Sequence, residues 1–165
     1  MPMTMDKLFL DTLKDVYYAE RQILKALNKQ ARAANHPELK QAFTLHREQT
    51  QGQIERLQQV FEILGKRAQG VTCEAMNGIL EEASELLEEE PEASPVRDAG
   101  LLAAAQCVEH YEIARYGTLI AWAQAAGKKD VVALLDQNLS EEKETDALLT
   151  KLAEAVLNPE AASKG

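Results

Sequence analysis

Hydrophobic residues recur every three to four positions along nearly the whole chain, which is the period of an amphipathic α-helix. Clusters of β-branched residues and strict alternation of polar and apolar positions, both typical of strands, are absent from the sequence. The pattern predicts five helices, at about 4–34, 37–65, 72–90, 95–126 and 129–157.

Capping residues and prolines set the predicted helix boundaries. Pro37 matches the first turn of a helix, where its missing N–H costs no hydrogen bond. Thr72 is the predicted N-cap of the third helix, because its hydroxyl can accept a hydrogen bond from the first turn. Pro159 is predicted to end the last helix. The chain is therefore predicted to form one domain over residues 1–158, followed by a frayed tail over 159–165.

The order of the helix lengths indicates the fold. Four of the five predicted helices are near 30 residues long, and the third is shorter. Short connections near residues 35 and 127 predict two antiparallel hairpins, and the stretch from 65 to 95 is long enough to run the length of a bundle. Two long helices, a crossover and two more long helices are the layout of ferritin-like bundles. We therefore predict an all-α fold, a ferritin-like four-helix bundle with a fifth, short helix in the long crossover.

Polar residues interrupt the predicted core faces of the long helices. With an advance of about 100° per residue, Glu20 falls within the apolar stripe of the first helix. Glu109 and Glu112 fall within the stripe of the fourth helix, and Glu142 falls within that of the fifth. On the second helix the stripe contains His46. All four long helices therefore direct a polar residue toward the predicted core.

These inward residues also lie at matching depths in the two predicted hairpins. Glu20 is 15 residues before the turn near 35, which places it level with Gln49 and Thr50 on the second helix. Glu112 is 15 residues before the turn near 127, which places it level with Glu142 on the fifth helix. Two matches at the same depth predict that the polar residues meet within the bundle.

The inward acids predict a metal site. An ionised carboxylate in an apolar core costs several kcal/mol unless it is paired or bound to a metal, and the core faces carry too few basic residues to pair with these acids. Two divalent ions would supply the missing positive charge, and carboxylate sites in bundles hold iron or manganese. The alternative is a hydrogen-bonded polar core in which some glutamates are protonated. The candidate ligands of two Fe or Mn ions are Glu20, His46, Glu109, Glu112 and Glu142.

The candidate site departs from the usual signature of such bundles. That signature is Glu-x-x-His on two helices, and it does not occur in this chain. Of the three histidines, His46 is the one on a core face, where it is either a hydrogen-bonded structural residue or, because it lies near the acids, a ligand or a residue that supports a ligand. Gln49 is a neutral and weak ligand at the level of Glu20, which argues against tight binding of the second ion.

Composition and charge exclude several classes of protein. The chain of 165 residues carries 18 basic and 27 acidic residues, and its net charge of −9 disfavours nucleic-acid binding. No apolar run approaches the roughly 18 residues of a membrane helix, and the N-terminus lacks the features of a signal peptide. Cys73 and Cys107 are too few and too far apart for a disulfide framework or a zinc motif. We therefore expect a cytoplasmic protein with no nucleic-acid or membrane partner.

The acidic residues are concentrated in one segment. Residues 74–92 hold eight glutamates and no lysine or arginine. Such a run is usually a solvated helix face. The alternative is a docking face for a basic protein partner, and the sequence does not separate the two interpretations.

Several segments resemble the bacterial YciE/YciF stress-protein family, and together they span about residues 6–155. They are YAERQ (18–22), TQGQIERL (50–57), CEAM (73–76), RDAGL (97–101), VEHYEIA (108–114), YGT (116–118) and EEKETD (141–146). The resemblance implies a ferritin-like, rubrerythrin-like core, a homodimer and induction by general stress, without a defined activity. It also implies metal ligands, with His46 beside them, at Glu20, Glu109, Glu112 and Glu142.

Two hypotheses of function follow. The first is a stress-response protein with a dinuclear non-haem iron or manganese site, which reacts with oxygen or peroxide or simply holds the metals. The second is a non-enzymatic dimeric scaffold with a degenerate metal site, whose acidic helix docks a partner. The depth-matched acids favour the first hypothesis. The missing Glu-x-x-His motif and Gln49, where family members often have Glu, favour the second.

Overall fold

The polypeptide folds into α-helices joined by turns and loops. The structure is a computed structural model, and it describes residues 1–164. Residue 165, the last of the predicted tail, lies outside the described residues. No strand occurs in the part of the chain that the structure describes. The helices are α1 (Met5–Ala33), α2 (Pro37–Ile63), α3 (Glu74–Glu89), α4 (Pro95–Ala125), α5 (Lys129–Leu152) and α6 (Asn158–Lys164).

Four long helices form a bundle, as predicted. Helix α1 packs on α2 and α4 packs on α5, and the two hairpins meet through α2 with α5 and α1 with α4. The short helix α3 lies in the crossover and packs against α4 and α1. The first four predicted helices agree with the structure to within two residues at each end. Among residues 1–164, no helix combines the length and the hydrophobicity needed to cross a membrane.

Cys73, rather than the predicted Thr72, is the N-cap of α3. The sulfur of Cys73 accepts a hydrogen bond from the backbone N–H of Met76 at 3.4 Å, and it lies 3.1 Å from the hydroxyl of Tyr111 on α4. Thr72 is exposed. The contact of the buried thiol with α4 thus overrides the better intrinsic capping propensity of threonine.

Pro159 does not end the last helix, so this predicted stop is wrong. The chain forms a π-helical turn over Ala153–Leu157 and continues directly into α6. In a regular helix, proline lacks the N–H donor and its ring clashes with the carbonyl four residues earlier. That carbonyl belongs to Ala155, which lies inside the π turn, and the wider hydrogen-bonded ring of this turn relieves the clash. The helical path therefore extends past the predicted boundary.

Two buried charged residues at the start of α4 fasten one end of the bundle. The carboxylate of Asp98 accepts hydrogen bonds from the backbone N–H groups of Asn35 at 2.9 Å and His36 at 2.7 Å, in the turn between α1 and α2. The adjacent Arg97 donates to the backbone carbonyl of Ala33, at the end of α1. Both charged side chains are buried, so these hydrogen bonds replace the water that each charge has lost.

Replacing Asp98 by alanine is expected to destabilise the protein by roughly 2–4 kcal/mol, because two backbone N–H groups of the α1–α2 turn lose a charged, buried acceptor. The urea midpoint of unfolding measures the loss. Asp130→Ala is the control, since Asp130 is also in the first turn of its helix but is exposed. Its expected cost is below about 1 kcal/mol. Equal losses of stability in the two variants would show that Asp98 acts only through the helix dipole of its first turn and not through its hydrogen bonds to the α1–α2 turn.

The core consists of two apolar clusters at different levels of the bundle. One cluster, near the α1–α2 turn, includes Leu27 and Phe43. The other lies toward the opposite end and includes Leu57 and Leu119. Between these clusters the four long helices contribute buried polar side chains. The apolar clusters therefore hold a polar layer between them.

Candidate metal centre

The polar layer contains all five side chains that the sequence predicts as metal ligands. These five side chains are at most 2% exposed, as the predicted core faces require. The layer is formed by Glu20 of α1, His46, Thr50 and Gln53 of α2, Glu109 and Glu112 of α4, and Asn138, Glu142 and Thr145 of α5. The structure thus brings the candidate ligands together from all four long helices.

The candidate ligands form two groups that share one residue. In the first group, His46, Glu109 and Glu142 each offer a ligand atom, and these atoms lie within 4.8 Å of one another. In the second group, Glu20, Glu112 and Glu142 meet the same criterion. We call the first group the histidine position and the second group the oxygen position. Because Glu142 belongs to both, the two positions are adjacent.

The contact between His46 and Glu109 is short but is not aligned as a hydrogen bond. Nε2 of His46 lies 2.7 Å from Oε1 of Glu109 and 3.9 Å from Oε2 of Glu142. Nevertheless, none of these three atoms has a hydrogen-bond partner, because a hydrogen bond also requires a favourable angle. Atoms that lie close without pointing at one another can direct their lone pairs at a common third point, as the ligands of one ion do.

The carboxylates of the layer lack hydrogen-bond donors for most of their oxygens. Both oxygens of Glu109, Glu112 and Glu142, and Oε2 of Glu20, are buried without a partner. An unpaired buried carboxylate costs several kcal/mol. The layer must therefore either take up protons or bind a cation.

Burial raises the pKa of all four glutamates in the metal-free protein. Desolvation is the main cause, and it raises the pKa of Glu109 to about 8. The pKa values of Glu112 and Glu142 are raised well above the usual range by desolvation and, in addition, by the neighbouring carboxyl groups. Desolvation also raises the pKa of Glu20. Without a metal ion, the layer therefore keeps protons at neutral pH.

Contacts between the glutamates also affect their pKa values. The contact with Glu112 lowers the pKa of Glu20 relative to burial alone, and the same contact raises the pKa of Glu112. The contact with Glu142 likewise lowers the pKa of Glu109, and it raises that of Glu142. The protons of the metal-free layer are therefore shared among neighbouring carboxyl groups, and a metal ion has to displace them.

A chain of hydrogen bonds connects the oxygen position with the bundle surface. The hydroxyl of Tyr116 donates to Oε1 of Glu20 at 2.6 Å, and Nδ2 of Asn138 donates to that hydroxyl at 3.2 Å. The guanidinium of Arg56 donates to Oδ1 of Asn138 at 2.9 Å and pairs with Glu141 at 2.7 Å. Tyr116 uses one lone pair of Oε1, so Oε2 is the oxygen of Glu20 that is free of hydrogen bonds.

The sequence did not predict that Asn138 and Arg56 belong to this series of hydrogen bonds. Asn138 carried a usable signal, because it lies one helical turn before Glu142 and so shares its face of α5. Arg56 carried none, since its partners lie on α5, more than 80 residues away in the sequence. Only the packing of α2 on α5 brings these residues together.

Gln49, which the sequence analysis places at the level of Glu20, links α2 to α5. Its Oε1 accepts a hydrogen bond from the hydroxyl of Thr145 at 2.9 Å. Thr145 lies about one turn after Glu142 on α5. The half-buried amide therefore helps to hold together the two helices that carry His46 and Glu142.

The space beside the centre is small and mostly apolar. A cavity of about 10 Å³ reaches His46 and is lined by residues of α1 and α4 and by Leu80 of α3. This is about the room that one water molecule needs. A groove of about 670 Å³ lies on the outside of the bundle between α2 and α5, and none of the candidate ligands lines it. The centre thus has room for a very small molecule beside His46.

Four long helices around a buried layer of glutamates define a ferritin-like bundle with a carboxylate core. A solved structure from Bacillus anthracis, described as ferritin-like, diiron-carboxylate proteins, has this fold with a TM-score of 0.68. The match covers 93% of this chain and 99% of that chain at 17% identity, so it concerns the fold alone. A family model described as a domain of unknown function, DUF892, matches residues 4–162. The chain belongs to this family.

Known relatives confirm the resemblance to the YciE/YciF family. Protein YciF of Escherichia coli (strain K12) is 47% identical over 162 residues, which are 98% of this chain and 97% of that protein. The crystal structure of the E. coli stress protein YciF has a TM-score of 0.89 and 46% identity, over 95% of this chain and 99% of that chain. YcfI of Rhodopseudomonas palustris has a TM-score of 0.86 and 51% identity, over 90% and 94% of the two chains.

Proposed function

We propose that the chain holds two divalent ions, iron or manganese, in the polar layer of its bundle. The observation that carries this proposal is the set of seven carboxylate oxygens that are buried without a hydrogen-bond partner. In their ionised form these carboxylates require a cation, and a set of oxygen ligands with one imidazole suits iron and manganese. The division of the ligand atoms into two adjacent groups supports two ions rather than one.

Each proposed ligand has its own part in the centre. His46 and Glu109 would hold one ion and Glu20 and Glu112 the other, and Glu142, which belongs to both groups, would be available to either. Metal binding would displace the protons that the raised pKa values of the glutamates keep in the metal-free layer. The layer would therefore exchange protons for the charge of the metal ions.

We propose that the centre acts on a small oxidant, dioxygen or a peroxide, in a stress response. Bound iron or manganese supplies the redox chemistry. The cavity beside His46 has room for about one water-sized molecule, which suits such a substrate. Its mostly apolar lining limits the access of water and larger molecules. The relative from E. coli is described as a stress protein, and a centre that reacts with oxidants suits the same role in this chain.

Elemental analysis of the purified protein tests the metal proposal. After incubation with Fe(II) or Mn(II) and removal of unbound ions, we expect about two ions per chain. Glu20→Gln and Glu112→Gln are expected to lose at least one ion, because each removes a charge from the oxygen position. Glu85→Gln makes the same change on the exposed face of α3 and should bind as the wild type does. Folded wild-type protein with no metal above background would contradict the proposal.

The acidic face of α3 favours a second candidate function. All eight glutamates of residues 74–92 are exposed, and none forms an ion pair with another described residue. Such a face complements a basic protein surface. The second candidate is therefore a non-enzymatic dimeric scaffold with a degenerate metal site. Elemental analysis separates the two candidates, because the scaffold would remain folded without binding metal.

The homodimer implied by the family resemblance and the cytoplasmic location expected from the sequence stay predictions. They are compatible with either candidate function. The predicted absence of nucleic-acid and membrane partners also stays a prediction, and it rests on the net charge of −9 and on the lack of a long apolar run.

A further inference from the structure

We propose that the two metal positions prefer different ions, so that the centre is built for a mixed pair. The histidine position takes the ion with the stronger affinity for nitrogen, such as Fe(II) or Zn(II). The oxygen position takes a harder ion, such as Mn(II). This inference rests on the proposed dinuclear site and concerns which ion occupies each position.

The first argument is the distribution of nitrogen ligands. His46 is in the histidine position, with Nε2 at 2.7 Å from Oε1 of Glu109. The other two histidines of the chain are engaged elsewhere. His36 caps α2 and accepts a hydrogen bond from the backbone of Glu38, and His110 is 68% exposed beside Asp146. The three residues of the oxygen position therefore offer only carboxylate ligands.

The second argument is the state of the carboxylates. In the histidine position both oxygens of Glu109 are free of hydrogen-bond partners. In the oxygen position Oε1 of Glu20 already accepts a hydrogen bond from Tyr116 at 2.6 Å. This hydrogen bond withdraws negative charge from Glu20, and Asn138 holds the phenol in place. Glu20 is therefore a weaker electron donor to a metal ion than Glu109, whose oxygens accept no hydrogen bond.

The imidazole at one position and the carboxylate ligands at the other favour different metal ions. Affinity for a common ligand set rises from manganese through iron toward copper, with zinc also above manganese, and imidazole favours Zn and Fe whereas carboxylates suit Mn. The preference for zinc over manganese is consequently larger at the histidine position. Given one equivalent of each ion, the lowest free energy places zinc beside His46 and manganese between Glu20 and Glu112.

The test loads metal-free protein with one equivalent of Zn(II) and one equivalent of Mn(II) per chain. Crystals of the loaded protein are measured at the absorption edges of both metals, which identify the ion at each position. We expect zinc at the histidine position and manganese at the oxygen position. The wild-type protein alone decides the result, so the test does not depend on a variant that must fold.

A matched pair of variants tests the cause of the preference. His46→Gln replaces the imidazole by an oxygen ligand and is expected to lower the zinc-to-manganese affinity ratio of that position by about 10- to 100-fold. His110→Gln makes the same change at an exposed residue and should leave the ratio as it is. Direct titration of each metal-free variant with each ion measures the ratio.

The outcomes separate this inference from the proposed function. Two bound ions that are scrambled equally over both positions would overturn the mixed-pair inference and leave the dinuclear centre standing. A zinc-to-manganese affinity ratio that is unchanged in His46→Gln would also overturn the mixed-pair inference and leave the dinuclear centre standing. Failure of folded protein to bind either ion would overturn the dinuclear site itself and the inference with it.

Discussion

Replacing Glu142 by glutamine is expected to remove both metal ions at once, because Glu142 is the one residue common to both groups of ligand atoms. The neutral amide brings no charge and is a weak ligand. Loss of a residue that merely orients a ligand already costs about 10- to 100-fold in metal affinity, so we expect more than about 100-fold at each position. The metal content measured by elemental analysis should fall from two ions per chain to none.

The same substitution is expected to stabilise the metal-free protein at pH 8. Burial holds the pKa of Glu142 well above its usual range, so the folded wild type must keep a proton that the unfolded chain releases. Glutamine avoids this cost because its amide stays neutral at this pH. We expect a gain of more than about 1 kcal/mol in the free energy of unfolding, measured with urea.

Two variants make the Glu142 result specific. Glu144→Gln changes an exposed residue of the same helix and should alter neither metal content nor stability. Glu109→Gln affects only the histidine position and should leave the ion at the oxygen position. Retention of two ions by Glu142→Gln would show that the carboxylate is not shared between the positions.

The metal-free protein is expected to lose stability as the pH rises from about 5 to 8. The pKa of Glu109 is raised from an ordinary 4.5 to about 8 in the folded protein, mainly by desolvation. Below the pKa of the unfolded chain both states hold the proton, and this contribution to stability is fully present. Between the two pKa values only the folded state holds it, so each pH unit costs about 1.4 kcal/mol. The total loss is expected to be several kcal/mol, since Glu112 and Glu142 are shifted in the same direction.

Urea unfolding of chelator-treated protein at several pH values measures this dependence. The metal-loaded protein should show a much flatter profile, because its carboxylates are already ionised. Its metal affinity should rise with pH, since binding releases protons. A double variant with Glu112→Gln and Glu142→Gln should lose most of the slope of the metal-free protein. Stability that is constant or rises between pH 5 and 8 in the metal-free wild type would contradict the raised pKa values.

The opposite requirements of stability and metal binding explain the arrangement of the core. Four buried glutamates with raised pKa values are costly in the metal-free protein. Burial of the apolar clusters on both sides of the layer stabilises the fold and offsets this cost. The site is therefore held by the rigid middle of four helices rather than by loops.

Much of the fold and the members of the candidate site followed from local pattern. The period of the apolar residues predicted the bundle helices, because one face of each helix must be buried. The same period placed Glu20, Glu109, Glu112 and Glu142 on buried faces, since each residue turns by a fixed angle. Counting residues from the turns then predicted their common depth. These properties depend only on the geometry of a single helix and on the length of a hairpin.

Other features depended on contacts between helices. The period of a helix gives the direction of a side chain but not its rotamer or its distance from a residue on another helix. The packing of the four helices therefore decided that Glu142 belongs to both groups and that Tyr116 takes one oxygen of Glu20. Packing also selected Cys73 as a cap, through its contact with α4. At Pro159 a local signal failed for a different reason, because a π turn relieved the clash that normally ends a helix.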